Sequence, residues 1–171
     1  MSALTGCRGF RLFALPLVLA AACRSSGSDT PVSTAPVPVP FATVIQIAVP
    51  GQVGKQLQVA VRDADTWKTM WSDLRKGSAL AEDPPAIDFE TEMVIVAAMD
   101  TQGCVSRVTL RSITRTNTRT NDKAAVDILE EPPAATCRCF ASSRPIHIVR
   151  VQKMSGEITF TTSRGEMPCG S

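Results

Sequence analysis

Met93-Val94-Ile95-Val96-Ala97-Ala98-Met99 is the stretch that decides the fold. A strand with one solvated face alternates apolar and polar residues, and this run of seven does not. Its length and its Val and Ile content read as a buried central strand. On its N-terminal side, Phe41–Val49 is rich in β-branched residues and ends at Pro50-Gly51, and Leu57–Val61 follows in alternation. Asp63 or Asp65 then caps a helix in which Trp67, Met70, Trp71 and Leu74 recur at i, i+3, i+4 and i+7, with Gly77 at its end. That spacing places both tryptophans on one face, which suits core packing better than an aromatic binding surface. Glu82-Asp83-Pro84-Pro85 breaks the chain before Ala86-Ile87-Asp88-Phe89 leads into the central strand.

On the C-terminal side, Cys104–Ile113 alternates as a further strand, and the polar near-repeat Thr114–Asn121 suits a hairpin loop with Ala124–Leu129 as its partner. Pro132-Pro133 comes next. Ile146–Lys153 and Glu157–Thr162 flank Ser155-Gly156, which suits a short hairpin turn. The fold class is therefore α+β, a mostly antiparallel β-sheet with one packed amphipathic helix. Most connections are too short for the crossovers that parallel neighbours need.

The chain begins with a different composition. Arg8 and Arg11 are the only charged side chains ahead of Cys23, where an apolar stretch from Phe10 ends in Leu19-Ala20-Ala21-Ala22-Cys23. Residues 1–22 have the parts of a secretory signal, a basic start, an apolar centre and small residues before a cut site. Cys23 directly after three alanines resembles the cysteine of a bacterial lipoprotein signal, which receives a diacylglyceryl group and becomes the new N-terminus. The stretch is interrupted by Arg11 and Pro16 and falls short of the roughly 20 apolar residues a spanning helix needs. Residues 23–40 are Ser- and Pro-rich and read as a tether. An extended arm of that length reaches about 50 Å at ~3.1 Å per residue. Residues 41–171 have the length of one domain with one core.

Charge excludes one class of function. The chain has 18 Lys and Arg against 16 Asp and Glu, and removing Arg8 and Arg11 with the signal leaves the remainder balanced. General nucleic-acid binding is poorly supported by a neutral body.

Four cysteines fall in the domain, Cys104, Cys137, Cys139 and Cys169. In an oxidising envelope an even count suggests two disulfides. Cys137 and Cys139 are separated by one residue, where a mutual disulfide is badly strained. The expected pairing joins one of them to Cys104 and the other to Cys169, which staples the C-terminal tail to the domain. The competing use of these residues is a metal or thiol-redox site made of Cys137, Cys139 and His147. Its spacing matches no C-x-x-C pair, and His147 lies in the apolar run Pro145–Val149, so no metal and no cofactor are expected.

Catalytic signatures are lacking in the sequence. There is a single histidine, no G-x-S-x-G elbow, and no phosphate loop. The carboxylate pairs Asp63 with Asp65 and Glu130 with Glu131 read as helix start and loop solvation. The pattern points away from an enzyme. Arg107, Arg111, Arg115 and Arg119 recur every four residues, and a period of two puts at least the first two on one strand face. Arg107 and Arg111 are thus candidates for contact with a partner's carboxylates or with acidic headgroups.

Trp67 in its helix, Pro85-Ala86-Ile87-Asp88-Phe89 before an apolar strand, Gly103 opening the next strand and Pro145-Ile146-His147-Ile148-Val149 near the end together resemble the PrcB-type domain, over roughly residues 61–153. Members are envelope lipoproteins named for a subunit that associates with and stabilises a surface protease complex. The resemblance implies a noncatalytic, protein-binding role with a protease as partner, and makes Gly103 part of the candidate contact surface. The family typically carries Thr-Gly-Gly-Tyr where this chain reads Thr101-Gln102-Gly103-Cys104, and the chain contains no tyrosine. The expectation is a lipid-anchored protein of the bacterial cell envelope, at the outer membrane or cell surface, that touches the membrane through Cys23 and binds another protein.

Overall fold

A computed structural model describes residues 35–78, 80–104, 106–118 and 121–169, all within one compact unit. The proposed signal at 1–22 and the lipidation site Cys23 lie outside the described residues. In chain order the elements are β1 (Val37–Pro38), β2 (Phe41–Pro50), β3 (Leu57–Val61), α1 (Ala64–Arg75), β4 (Glu92–Ala98), β5 (Gln102–Gly103), β6 (Arg107–Thr118), β7 (Asn121–Glu131), β8 (Ser142–Gln152) and β9 (Glu157–Arg164). One sheet has the order β2-β8-β4-β3, with β5 added to β8, and the second has the order β1-β6-β7-β9.

The apolar run of β4 explains the arrangement. Met93, Ile95, Ala97 and Met99 are buried in one cluster with Val108 and Leu110 of β6 and Val126 and Ile128 of β7. The alternate residues Val94, Val96 and Ala98 are buried in a second cluster with Trp67, Trp71 and Leu74 of α1. A strand covered by a sheet on one side and a helix on the other has no position left for a polar residue. β4 is also central laterally, paired antiparallel to β3 and β8.

Local chemistry sets α1. The Asp63 carboxylate accepts the Thr66 backbone N–H at 2.8 Å, a capping bond that also holds the carboxyl below its ordinary range. Gly77 just beyond the helix takes φ +70°, a left-handed conformation that glycine adopts without steric cost. The indole N–H groups of Trp67 and Trp71 donate to the carbonyls of Pro85 and Ala81, each at 3.1 Å, and so fasten the proline-containing loop to the helix.

Four expectations are corrected. First, β8 and β9 form no hairpin. Both edges of β8 are taken by β2 and β4, so the chain must leave that sheet, and β9 joins the other one parallel to β7. The link through Ser155-Gly156 is an inter-sheet crossover with Met154 buried at 2 % exposure. Arg62 holds it by donating to the carbonyls of Met154 (3.0 Å) and Gly156 (2.6 Å). Gly156 passes so close to β7 that a Cβ there would meet the Asp122 carbonyl oxygen, so any other residue at the crossing requires the backbone to shift. The sheet content is mostly antiparallel but not wholly so.

Second, most of the polar near-repeat is strand rather than loop: β6 runs to Thr118 and β7 starts at Asn121. Thr114 and Thr116 suit the pleat, β7 pairs along residues 114–118, and β1 pairs with Thr114 and Arg115 on the other side. Third, the strand expected from Cys104 starts at Arg107, because Cys104 takes φ +72° and turns the chain out of the extended form. Fourth, the domain begins before Phe41. Val37 and Pro38 pair with Arg115 and Thr114, and the Val39 N–H donates to the Ile113 carbonyl at 2.8 Å.

Candidate functional site

The segment between β7 and β8 has few backbone hydrogen bonds of its own and is cross-linked instead. Cys139 is joined to Cys104 with Cα atoms 4.9 Å apart, and Cys137 to Cys169 at 5.3 Å. Ala134 and Met167 add one backbone bond of 2.9 Å between the same segments. The two staples thus fix Cys137-Arg138-Cys139 at both ends, one against the β5 turn and one against the C-terminal tail. Gly103 sits beside this turn, paired with Ser142.

A cleft of ≈ 480 Å³ lies against this region, lined by both disulfides together with Ala48, Pro50, Phe140 and Ala141. Phe140 is fully exposed at 106 %. Arg138 is the one charged residue in the lining and, among the described residues, has no hydrogen bond or ion pair. Sequence reasoning missed both. The signal was present: a phenylalanine next to Cys139 in a stretch without helical or strand periodicity has no core to enter.

The arginine stripe is reorganised by register. Between Leu110 and Ser112 the pairing of β6 with β7 shifts by one residue, leaving Arg111 in a bulge. Such a shift moves later residues to the opposite face. Arg107 and Arg111 remain outward, while Arg115 shares the side of buried Ile113 and stands opposite buried Ala124. Each is neutralised from β7: Arg107 by Glu131 at 2.8 Å, Arg111 by Asp127 at 2.8 Å and Arg115 by Asp122 through two bonds of 2.7 and 3.1 Å. The Arg115 guanidinium holds the Asp122 carboxyl below its ordinary range. This is a ladder of cross-strand pairs more than a free cationic surface. Arg119 lies outside the described residues.

His147 and the carboxylates are accounted for as structure. His147 is buried at 3 % exposure; its Nδ1 accepts the Leu110 backbone N–H at 2.8 Å, and its Nε2 lies 3.0 Å from Thr43 Oγ1. An Nδ1 that accepts requires the neutral ring with the proton on Nε2. Glu130 is buried and accepts from Gln56 Nε2 at 2.5 Å, while Glu131 serves Arg107. These contacts give Cys137, Cys139 and His147 structural roles in this arrangement. Both cysteines are in disulfides, both ring nitrogens have partners, and no group of three ligating residues converges among the described residues.

Burial pushes the His147 pKa below its ordinary 6.5, since the charged ring loses hydration. The unfolded chain therefore binds the proton more readily than the folded one. Stability contributed by the neutral ring is fully present above about pH 6.5 and declines as pH falls below it, by at most about 1.4 kcal/mol per pH unit. The urea midpoint of the domain should fall between pH 7 and pH 5, and His147→Gln should flatten that slope, as the chain has one histidine. A wild-type midpoint constant over this range would contradict the assignment.

Comparison of the chain with family models, curated proteins and solved structures yields no match. Among the described residues no helix is long and apolar enough to cross a membrane.

Proposed function

We propose that this chain is a lipid-anchored envelope protein whose α+β domain binds another protein noncatalytically, with an envelope protease as the leading partner class. The observation that carries the reading is Leu19-Ala20-Ala21-Ala22-Cys23, followed by a Ser- and Pro-rich arm and a domain stapled by two disulfides. Disulfides persist in oxidising compartments, which fits export. Acyl chains at Cys23 would hold the chain on a membrane, each buried CH₂ contributing about 0.8 kcal/mol, so the domain needs no membrane surface of its own. The similarity of Trp67, Pro85–Phe89, Gly103 and Pro145–Val149 to the PrcB-type domain supports protease association as the role.

Two measurements test this. Metabolic palmitate labelling and membrane fractionation should both be lost in Cys23→Ser; label that persists in the variant removes the anchor from the account. Chemical crosslinking in intact envelopes, followed by identification of the products, should recover a protease joined to the domain. Recovery of membrane lipid and no protein would set the partner role aside.

A further inference from the structure

We propose that Cys137–Phe140 is the recognition element of this domain and that its occupant is an extended polypeptide segment in which an apolar side chain stands beside a carboxylate. The inference deepens the protein-binding role and rests on it. Its first support is charge. Arg107, Arg111 and Arg115 are each answered by a carboxylate of β7, whereas Arg138 is exposed and has no partner among the described residues. Among the described residues no carboxylate lines the cleft beside it. A guanidinium on an apolar wall selects a carboxylate held next to an apolar group, and bidentate pairing gives that contact direction.

The second support is Phe140, whose entire ring meets solvent. An exposed phenylalanine forgoes burial that a partner can recover. Arg and aromatic side chains side by side are the composition of binding hot spots. The third is rigidity. Arg138 lies between two disulfide-bonded residues and Phe140 follows the second, so their display is ordered before binding and little chain entropy remains to be lost. The fourth is shape. A second depression of ≈ 350 Å³, lined by Ile47, Val108 and Met167, shares Ala48 with the first. Two depressions that share a lining residue of β2 suit an extended backbone better than one compact ligand, and Ile47 there is 43 % exposed.

The test uses the full lipidated chain in native envelopes, with the photo-crosslinker p-benzoyl-phenylalanine replacing Phe140 or, as a control, exposed Lys68 on α1. Position 140 should crosslink to a protein whose crosslinked peptide carries apolar residues next to Asp or Glu. Adding Arg138→Glu should lower that yield about tenfold, and Arg138→Lys, which keeps the charge and loses the bidentate fork, should fall between that and the arginine chain. Both side chains are exposed, and disulfide mapping of each variant confirms that the fold is kept. A yield indifferent to Arg138→Glu, a crosslinked peptide without a carboxylate, or crosslinks only to lipid would overturn the proposal. Capture of a protein at position 68 but not at 140 would overturn it and leave the protein-binding role standing. No protein captured at either position would overturn both.

Discussion

Serine in place of Cys137 and Cys169, or of Cys104 and Cys139, should lower the unfolding free energy by about 3–4 kcal/mol. The two bridges close stretches with sequence separations of 32 and 35 residues, and a cross-link of that span removes roughly this much entropy from the unfolded chain. The folded side has little to offset the loss. Between β7 and β8 the segment is tied to the rest of the domain by few bonds, among them Ala134 and Pro132 with Met167, Ala135 with Glu166 and Ala141 with Cys104, so without its staples it loosens from the sheets. Domains of this size are stable by about 5–15 kcal/mol, and removal of both bridges should leave the domain largely unfolded at 37 °C. Urea titration of oxidised wild type against each double-serine variant measures the difference. A loss below about 1 kcal/mol would mean that the segment is ordered by something other than its disulfides.

The second large effect is expected at Trp71. Its side chain is 1 % exposed and packs with Leu74, Val94, Val96 and Ile148 between helix and sheet. Trp71→Ala should cost about 3–5 kcal/mol through lost burial and the cavity left behind. It also strands the Ala81 carbonyl that accepts the indole N–H, freeing the loop before Pro84-Pro85. Trp71→Phe keeps most of the bulk and loses the hydrogen bond, so its cost should be nearer 1 kcal/mol. The contrast between the two variants separates packing from loop fastening. Equal losses would place the whole effect in the hydrogen bond.

Much of the fold was legible because periodicity reports burial. The run Met93–Met99 announced a strand without a solvated face, and the spacing of Trp67, Met70, Trp71 and Leu74 announced a helix. Spacing along the chain also weighed against a Cys137–Cys139 bridge. What was not legible were matters of neighbour choice. Ser155-Gly156 resembles a hairpin turn in composition, yet the strand before it already has partners on both edges. The arginine period of four is regular in sequence, yet one bulge at Arg111 sends Arg115 to the other face and the β7 carboxylates neutralise what remains.

The kinds of element, the central strand and a cysteine set disfavouring closure on its nearest neighbour can be read along the chain, because backbone propensity and apolar period act over a few residues. Only the tertiary structure decided that β9 runs parallel to β7 and that His147 serves a backbone N–H of the opposite sheet. It also decided that Arg138 and Phe140 are left exposed on a doubly stapled turn. These outcomes depend on which edges are already occupied and which charges already answered, and that competition is settled between residues far apart in the chain.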